Sequence, residues 1–88
     1  MIDVVLRELA TIMKDKSIEI NETTVLLGSK GVIDSLGLVE LCLRIEDAAI
    51  LEGFEFDWTS ENAMSRNTSI FRTVGSLAEE LKRQKKQQ

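Results

Sequence analysis

Gly31-Val32-Ile33-Asp34-Ser35-Leu36-Gly37-Leu38-Val39-Glu40-Leu41-Cys42-Leu43-Arg44-Ile45-Glu46-Asp47 is the stretch on which the reading of this chain turns. Asp34 suits a helix N-cap, because its carboxylate can accept a hydrogen bond from an unpaired first-turn N–H. The spacing after it predicts a helix over residues 35–51. Leu38, Leu41, Cys42, Ile45 and Ala49 recur at helical intervals and should face a core. Leu36, Val39 and Leu43 make a second apolar stripe on an adjoining face, with Gly37, Glu40, Arg44 and Asp47 as a polar strip beside it. A helix apolar over so wide an arc is either central to the fold or partly reserved for a partner. Ser35 sits where first-turn N–H groups point outward.

Working outward, Ile2, Val5, Leu6, Leu9, Ile12 and Met13 form one apolar stripe, which predicts a first helix over residues 3–14. Residues 15–34 hold no sustained period. Asn21-Glu22-Thr23-Thr24, Gly28-Ser29 and Gly31 are turn chemistry. Ile18, Ile20, Val25, Leu26, Leu27, Val32 and Ile33 are apolar islands, so a long loop pinned to the core is expected, with a short helical turn near residues 23–27. A loop of that length in a small domain points to function. Downstream, Gly53 fits a helix stop. Phe54, Phe56 and Trp58 alternate with Glu55 and Asp57, which predicts a short extended segment. Thr59 or Ser60 can cap a short third helix over residues 61–66. Thr73 caps a last helix that carries Val74, Leu77, Ala78 and Leu81, with a basic end suited to the helix dipole and fraying beyond about Gln84.

At 88 residues the chain is one domain with a modest core. Apolar residues make up 43% and aromatic residues 5%, so the core must be mainly aliphatic. The absence of proline and of sustained alternation favours an all-α fold. No apolar run approaches a membrane span, and the N-terminus lacks the pattern of a signal peptide. Cys42 is the single cysteine, so no internal disulfide forms. A cytoplasmic protein is expected.

Charge is unevenly spread. Lys82, Arg83, Lys85 and Lys86 fall in the last seven residues; the whole chain carries −4, so without those four charges the remainder carries −8. Between Val32 and Glu61 eight acids meet one base, Arg44. That field repels nucleic acid and anionic lipid and steers basic partners.

The residues supply little catalytic machinery. There is no histidine to serve as base to a serine or cysteine nucleophile. Asp34, engaged as an N-cap, is a poor substitute. Zinc or calcium ligand patterns and phosphate-cradling glycine motifs are absent. The chain is therefore expected not to be an enzyme and to bind no metal. Ser35 makes better sense as a substrate: a phosphodiester on it gains roughly 0.3–1 kcal/mol from the helix N-terminus. The plain alternative is a serine that merely starts a helix.

The stretch Gly31 to Leu41 resembles the attachment site of the acyl carrier protein family, in which the serine of Asp-Ser-Leu receives 4′-phosphopantetheine from coenzyme A. The order of elements is similar as well, and Thr73-Val74-Gly75-Ser76-Leu77 looks like the family's last-helix start. The resemblance implies a small four-helix bundle with a long loop between helices 1 and 2 and a short helix 3. Its carrier domain would span residues 1–81, with a basic, frayed tail at 82–88. It implies Ser35 as the covalent phosphopantetheine site with Asp34 in support, and Leu36, Val39, Glu40, Leu43 and Asp47 as the docking face. The competing readings are core packing for Leu36, Val39 and Leu43, and an ordinary solvated face for the acids. Cys42 lies on the core stripe and reads as a buried small apolar residue.

The implied partners are a phosphopantetheinyl transferase, an adenylating or acyl-loading enzyme, and an acyltransferase or synthase; no nucleic acid and no membrane insertion are expected, and the chain should be a monomer. Three features depart from fatty-acid carriers: Gly37 in place of an acid, Arg44 within the docking face, and Glu46-Asp47-Ala48-Ala49-Ile50-Leu51-Glu52 as about one extra turn. Residues 64–72 also look longer than usual. They point away from housekeeping fatty-acid biosynthesis and toward a specialised carrier in a lipid, secondary-metabolism or cell-surface pathway. An aminoacyl or peptidyl carrier, or an unmodified acidic helical adaptor, are the rival readings.

Overall fold

A computed structural model of the chain describes residues 1–28, 31–58 and 70–87. Among the described residues the fold is all-helical, with α1 over Ile2–Ile12, α2 over Ser35–Leu51 and α3 over Val74–Gln87, and no strand. α1 packs against both α2 and α3. The short third helix expected over residues 61–66 lies outside the described residues.

α1 buries Val5 and Leu9 completely, as its apolar stripe requires. The helix ends two residues earlier than its spacing predicts. Met13 turns extended, with φ −69° and ψ 132°, and its side chain is buried in the core. Lys16 folds back, and its ammonium donates to the carbonyls of Ala10 and, at 3.2 Å, Thr11. A cation that satisfies terminal carbonyls stabilises this early stop.

The loop to α2 is stitched to the start of α3. The Asn21 side chain accepts from Thr23 N–H at 2.9 Å, and Thr24 N–H donates to Asn21 O at 3.1 Å, so a tight turn forms at 21–24. Val25 then pairs antiparallel with Thr73. Leu26 N–H donates to Arg72 O at 2.9 Å, and Val74 N–H to Thr24 O at 3.0 Å. This pairing replaces the helical turn expected at 23–27: the cross-chain carbonyls satisfy backbone groups that a helix would have paired locally. Leu26 is fully buried beneath it.

The chain doubles back before α2. Val32 N–H donates to Val25 O, and Ile33 N–H to Leu26 O, each at 3.1 Å. Gly31 makes this possible, since a Cβ there would lie 2.4 Å from Leu26 O. The return delivers Asp34 and Ser35 to the start of α2.

α2 has the bounds its sequence predicts, and both ends are locally encoded. Asp34 Oδ1 accepts from Gly37 N–H at 2.8 Å. At the other end Gly53 adopts φ +89°, Phe54 N–H donates to Ala49 O at 3.0 Å, and Gly53 N–H donates to Ile50 O at 3.1 Å. That pair of bonds is a Schellman motif, which glycine adopts without steric cost. Leu41, Cys42 and Ile45 are fully buried, Ala48 and Ala49 nearly so, and Leu38 is half-buried against the same core.

Phe54 and Phe56 enter the core while Glu55 and Asp57 face solvent, matching the expected alternation. α3 starts with a reciprocal cap: Ser76 N–H donates to Thr73 Oγ1 at 3.1 Å, and Thr73 N–H donates to Ser76 Oγ at 3.0 Å. Its helix continues through Gln87, past the position at which the composition suggests fraying. The reason is Gln84, which is buried and hydrogen-bonded to the 54–58 segment.

Candidate functional site

Ser35 is the first residue of α2, and its side chain is exposed. Asp34 occupies the Gly37 N–H, and the first-turn N–H groups of Ser35 and Leu36 have no hydrogen-bond partner among the described residues. An anion joined to the Ser35 hydroxyl would sit in the positive field of those donors.

The outward face of α2 carries the residues singled out from sequence. Leu36, Val39 and Leu43 are exposed to 81%, 44% and 52% of their surface, so the core-packing reading of this stripe fails. Glu40 and Asp47 are exposed on the same face, because positions three, four and seven apart share one side of a helix. Arg44 lies along the edge nearer α1, with Nε 3.7 Å from Glu40 Oε1 and Nη1 4.0 Å from Glu8 Oε1. Exposed pairs of this kind contribute roughly 0–1 kcal/mol; their larger effect is to compensate part of the Glu40 charge. Asp47 has no ion-pair partner among the described residues.

Several residues were missed by sequence reasoning. Ile50 and Leu51 are exposed to 65% and 88%. The spacing of seven that links Leu36, Leu43 and Ile50 was the available signal. Glu46 accepts from Trp58 Nε1 at 2.8 Å, a contact between distant segments that no local pattern announces.

Behind Ser35 lies a cleft of about 390 Å³. It opens between the end of α1, the loop at Lys14, Asp15 and Ile18, and the start of α2 at Leu36 and Gly37. The helix meets Ile33 closely at Gly37, where a Cβ would lie 3.0 Å from Ile33 Cβ and 3.3 Å from Asp34 Oδ1 and would oblige the Ile33 side chain to shift by a few tenths of an ångström. Ser17 donates to Asp15 Oδ1 from its hydroxyl at 2.5 Å and its N–H at 3.0 Å, which holds the Asp15 carboxyl below the usual carboxylate range.

Cys42 is fully buried. Burial, aided by the Glu46 charge, pushes its thiol up to about 12, which leaves it protonated and inert at neutral pH. Among the described residues no helix is long and apolar enough to cross a membrane. No protein-family model, curated protein or solved structure matches this chain.

Proposed function

We propose that this chain is a carrier protein of the acyl-carrier type, a four-helix bundle with its short third helix over residues 61–66. Ser35 is the residue that accepts 4′-phosphopantetheine. In that reaction the Ser35 oxygen forms a bond to the phosphorus nearest the pantetheine of coenzyme A. The pyrophosphate bond breaks, the nucleotide leaves, and the hydroxyl proton passes to the transferase. When attached, the arm supplies a thiol on which acyl or aminoacyl groups travel as thioesters; the chain itself supplies position and recognition.

The single observation that carries this reading is the combination on α2 of an exposed, unengaged Ser35 at a capped N-terminus with an exposed apolar stripe of Leu36, Val39 and Leu43 beside Glu40 and Asp47. The residues fit the group. Ser35 is accessible, and the first-turn donors face where a phosphodiester would lie. The exposed acids suit basic patches on a transferase, a loading enzyme and an acyltransferase or synthase, which would give fast, salt-sensitive encounters. In this reading the chain is a non-catalytic, cytoplasmic monomer. Gly37, Arg44 and the extra turn of α2 support a specialised lipid, secondary-metabolism or cell-surface pathway, with an aminoacyl or peptidyl cargo as the alternative to a fatty-acyl one.

Incubation with coenzyme A and broad-specificity transferases, followed by mass spectrometry, tests the proposal. The expected result is a gain of one phosphopantetheine that disappears in Ser35→Ala. No gain with several transferases favours instead an unmodified helical adaptor that binds through the exposed face of α2.

A further inference from the structure

The last turn of α2 ends in two adjacent apolar side chains that the fold does not use. Leu51 is the most exposed large apolar residue among the described residues, at 88% of its surface, and Ile50 beside it is exposed as well. The helix stop does not need them. A Schellman closure places its apolar contact at the positions of Ala49 and Phe54, and both of those are buried in the core. Asp47 stands three and four residues before the pair, so its exposed carboxylate lies on the same side of the helix. Next to Ile50 is an open hollow of about 250 Å³, lined by Ile50, Gly53, Phe54 and Glu55. It is smaller than the roughly 300 Å³ at which small-molecule sites begin, and it suits a single side chain. Residues 45–57 hold five acids and no base. Lys85 of α3 comes within 3.9 Å of Glu52 and compensates that acid, while Asp47 has no ion-pair partner among the described residues.

This charge pattern selects the occupant. A second copy of the chain would bring the same acids against Asp47 and Glu55, at a cost in repulsion. Two side chains also fall short of the roughly 800 Å² per partner that a stable pair buries. An anionic lipid surface is repelled in the same way. We infer that Asp47, Ile50, Leu51 and the hollow beside Gly53 dock a segment of another protein that presents a large apolar side chain next to lysine or arginine. The apolar side chain enters the hollow and covers Ile50 and Leu51, which removes apolar surface of both partners from water. The cation meets Asp47. The site lies about 24 Å along α2 from Ser35, and it is the same whether or not Ser35 carries an arm. On a modified chain it gives an enzyme a second grip, on the turn that sets this chain apart from fatty-acid carriers.

The test titrates the full chain with a short peptide carrying paired leucines between lysines, and with its counterpart carrying glutamates for the lysines, followed by ¹H–¹⁵N correlation spectra. Saturable amide shifts centred on Asp47, Ile50, Leu51, Gly53 and Glu55 are expected with the lysine peptide and none with the glutamate peptide. Leu51→Ser, alone and with Ile50→Ser, should keep the helical circular dichroism signal and weaken binding about fivefold or more, the loss that marks an anchoring side chain. Asp47→Asn should weaken it about twofold at low salt, with the difference shrinking as salt is added. Absence of saturable shifts at these residues, or an equal response to both peptides, overturns the site. So does a concentration-dependent mass increase in sedimentation that Leu51→Ser removes, which would assign the patch to a second copy. Binding to phosphatidylserine vesicles that Leu51→Ser removes would assign it to lipid and overturn the site equally. Each of these failures leaves the carrier reading, judged by the mass gain at Ser35, where it stands.

Discussion

Gln84 holds the backbone of Asp57 from both sides. Asp57 N–H donates to Gln84 Oε1 at 2.7 Å, and Gln84 Nε2 donates to Asp57 O at 2.9 Å. The same Nε2 also reaches Glu80 Oε2 at 2.8 Å, and Glu80 is held in turn by Arg83 Nε at 2.8 Å. A primary amide can present one acceptor and two donors to a peptide group in this way, and its burial makes each bond costly to lose. The link ties the end of α3 to the segment that follows α2.

Gln84→Ala should therefore lower stability by about 1–3 kcal/mol, because it removes two part-buried hydrogen bonds to the Asp57 backbone and a buried one to Glu80. Truncation after Leu81 should lower it at least as much. Thermal melts followed by circular dichroism check both. Wild-type melting temperatures in the two variants would mean that residues 82–87 are a dispensable tail.

Gly31→Ala should be among the most damaging small substitutions. Its Cβ would meet Leu26 O at 2.4 Å, and that carbonyl is held in place by Ile33 N–H. Backbone on both sides must move, at a cost of about 2 kcal/mol or more. Chemical denaturation of the variant measures the loss. If its midpoint matched that of the parent chain, the doubling back before Asp34 would be wrong.

Cys42 links stability to alkaline pH. Its folded value of about 12 lies above the unfolded value of roughly 8.5. The proton is therefore held more tightly in the folded chain. Its stabilising effect is complete below the unfolded value and is lost as pH rises toward about 12, by at most about 1.4 kcal/mol per pH unit. Denaturation midpoints from pH 8 upward should fall, and less steeply in Cys42→Ala once its own cavity cost is subtracted. A thiol reagent at neutral pH should label the unfolded chain and spare the native one. Rapid native labelling would contradict the burial of Cys42.

Glu40→Lys combined with Asp47→Lys should slow attachment at Ser35 or subsequent loading while leaving the circular dichroism spectrum intact, since both side chains are exposed on α2. Unchanged rates at low salt would remove the role proposed for this face. Leu41→Asp, one position from Glu40 but fully buried, should unfold the chain, because it places an unpaired carboxylate in the core. The pair of variants separates the two faces of one helix.

The span of α2 was legible from sequence because both of its ends are local events. Asp34 reaches three residues forward to Gly37, and Gly53 supplies the positive φ that a Schellman closure needs. The exposed Ser35 follows from that same start. The all-helical class follows from apolar spacing in α1, α2 and α3. What local pattern left open was whether Leu36, Val39 and Leu43 pack into the core beside the stripe of Leu41, Cys42 and Ile45. That choice depends on α1 packing against Leu41 and Ile45 while Leu36, Val39 and Leu43 remain in solvent. The pairing of Val25 with Thr73, the clasp of Gln84 on Asp57 and the cleft behind Ser35 likewise join residues far apart in the chain. Their partners exist only once the helices have packed, so periodicity along one segment carries no trace of them, and the tertiary structure alone decides them.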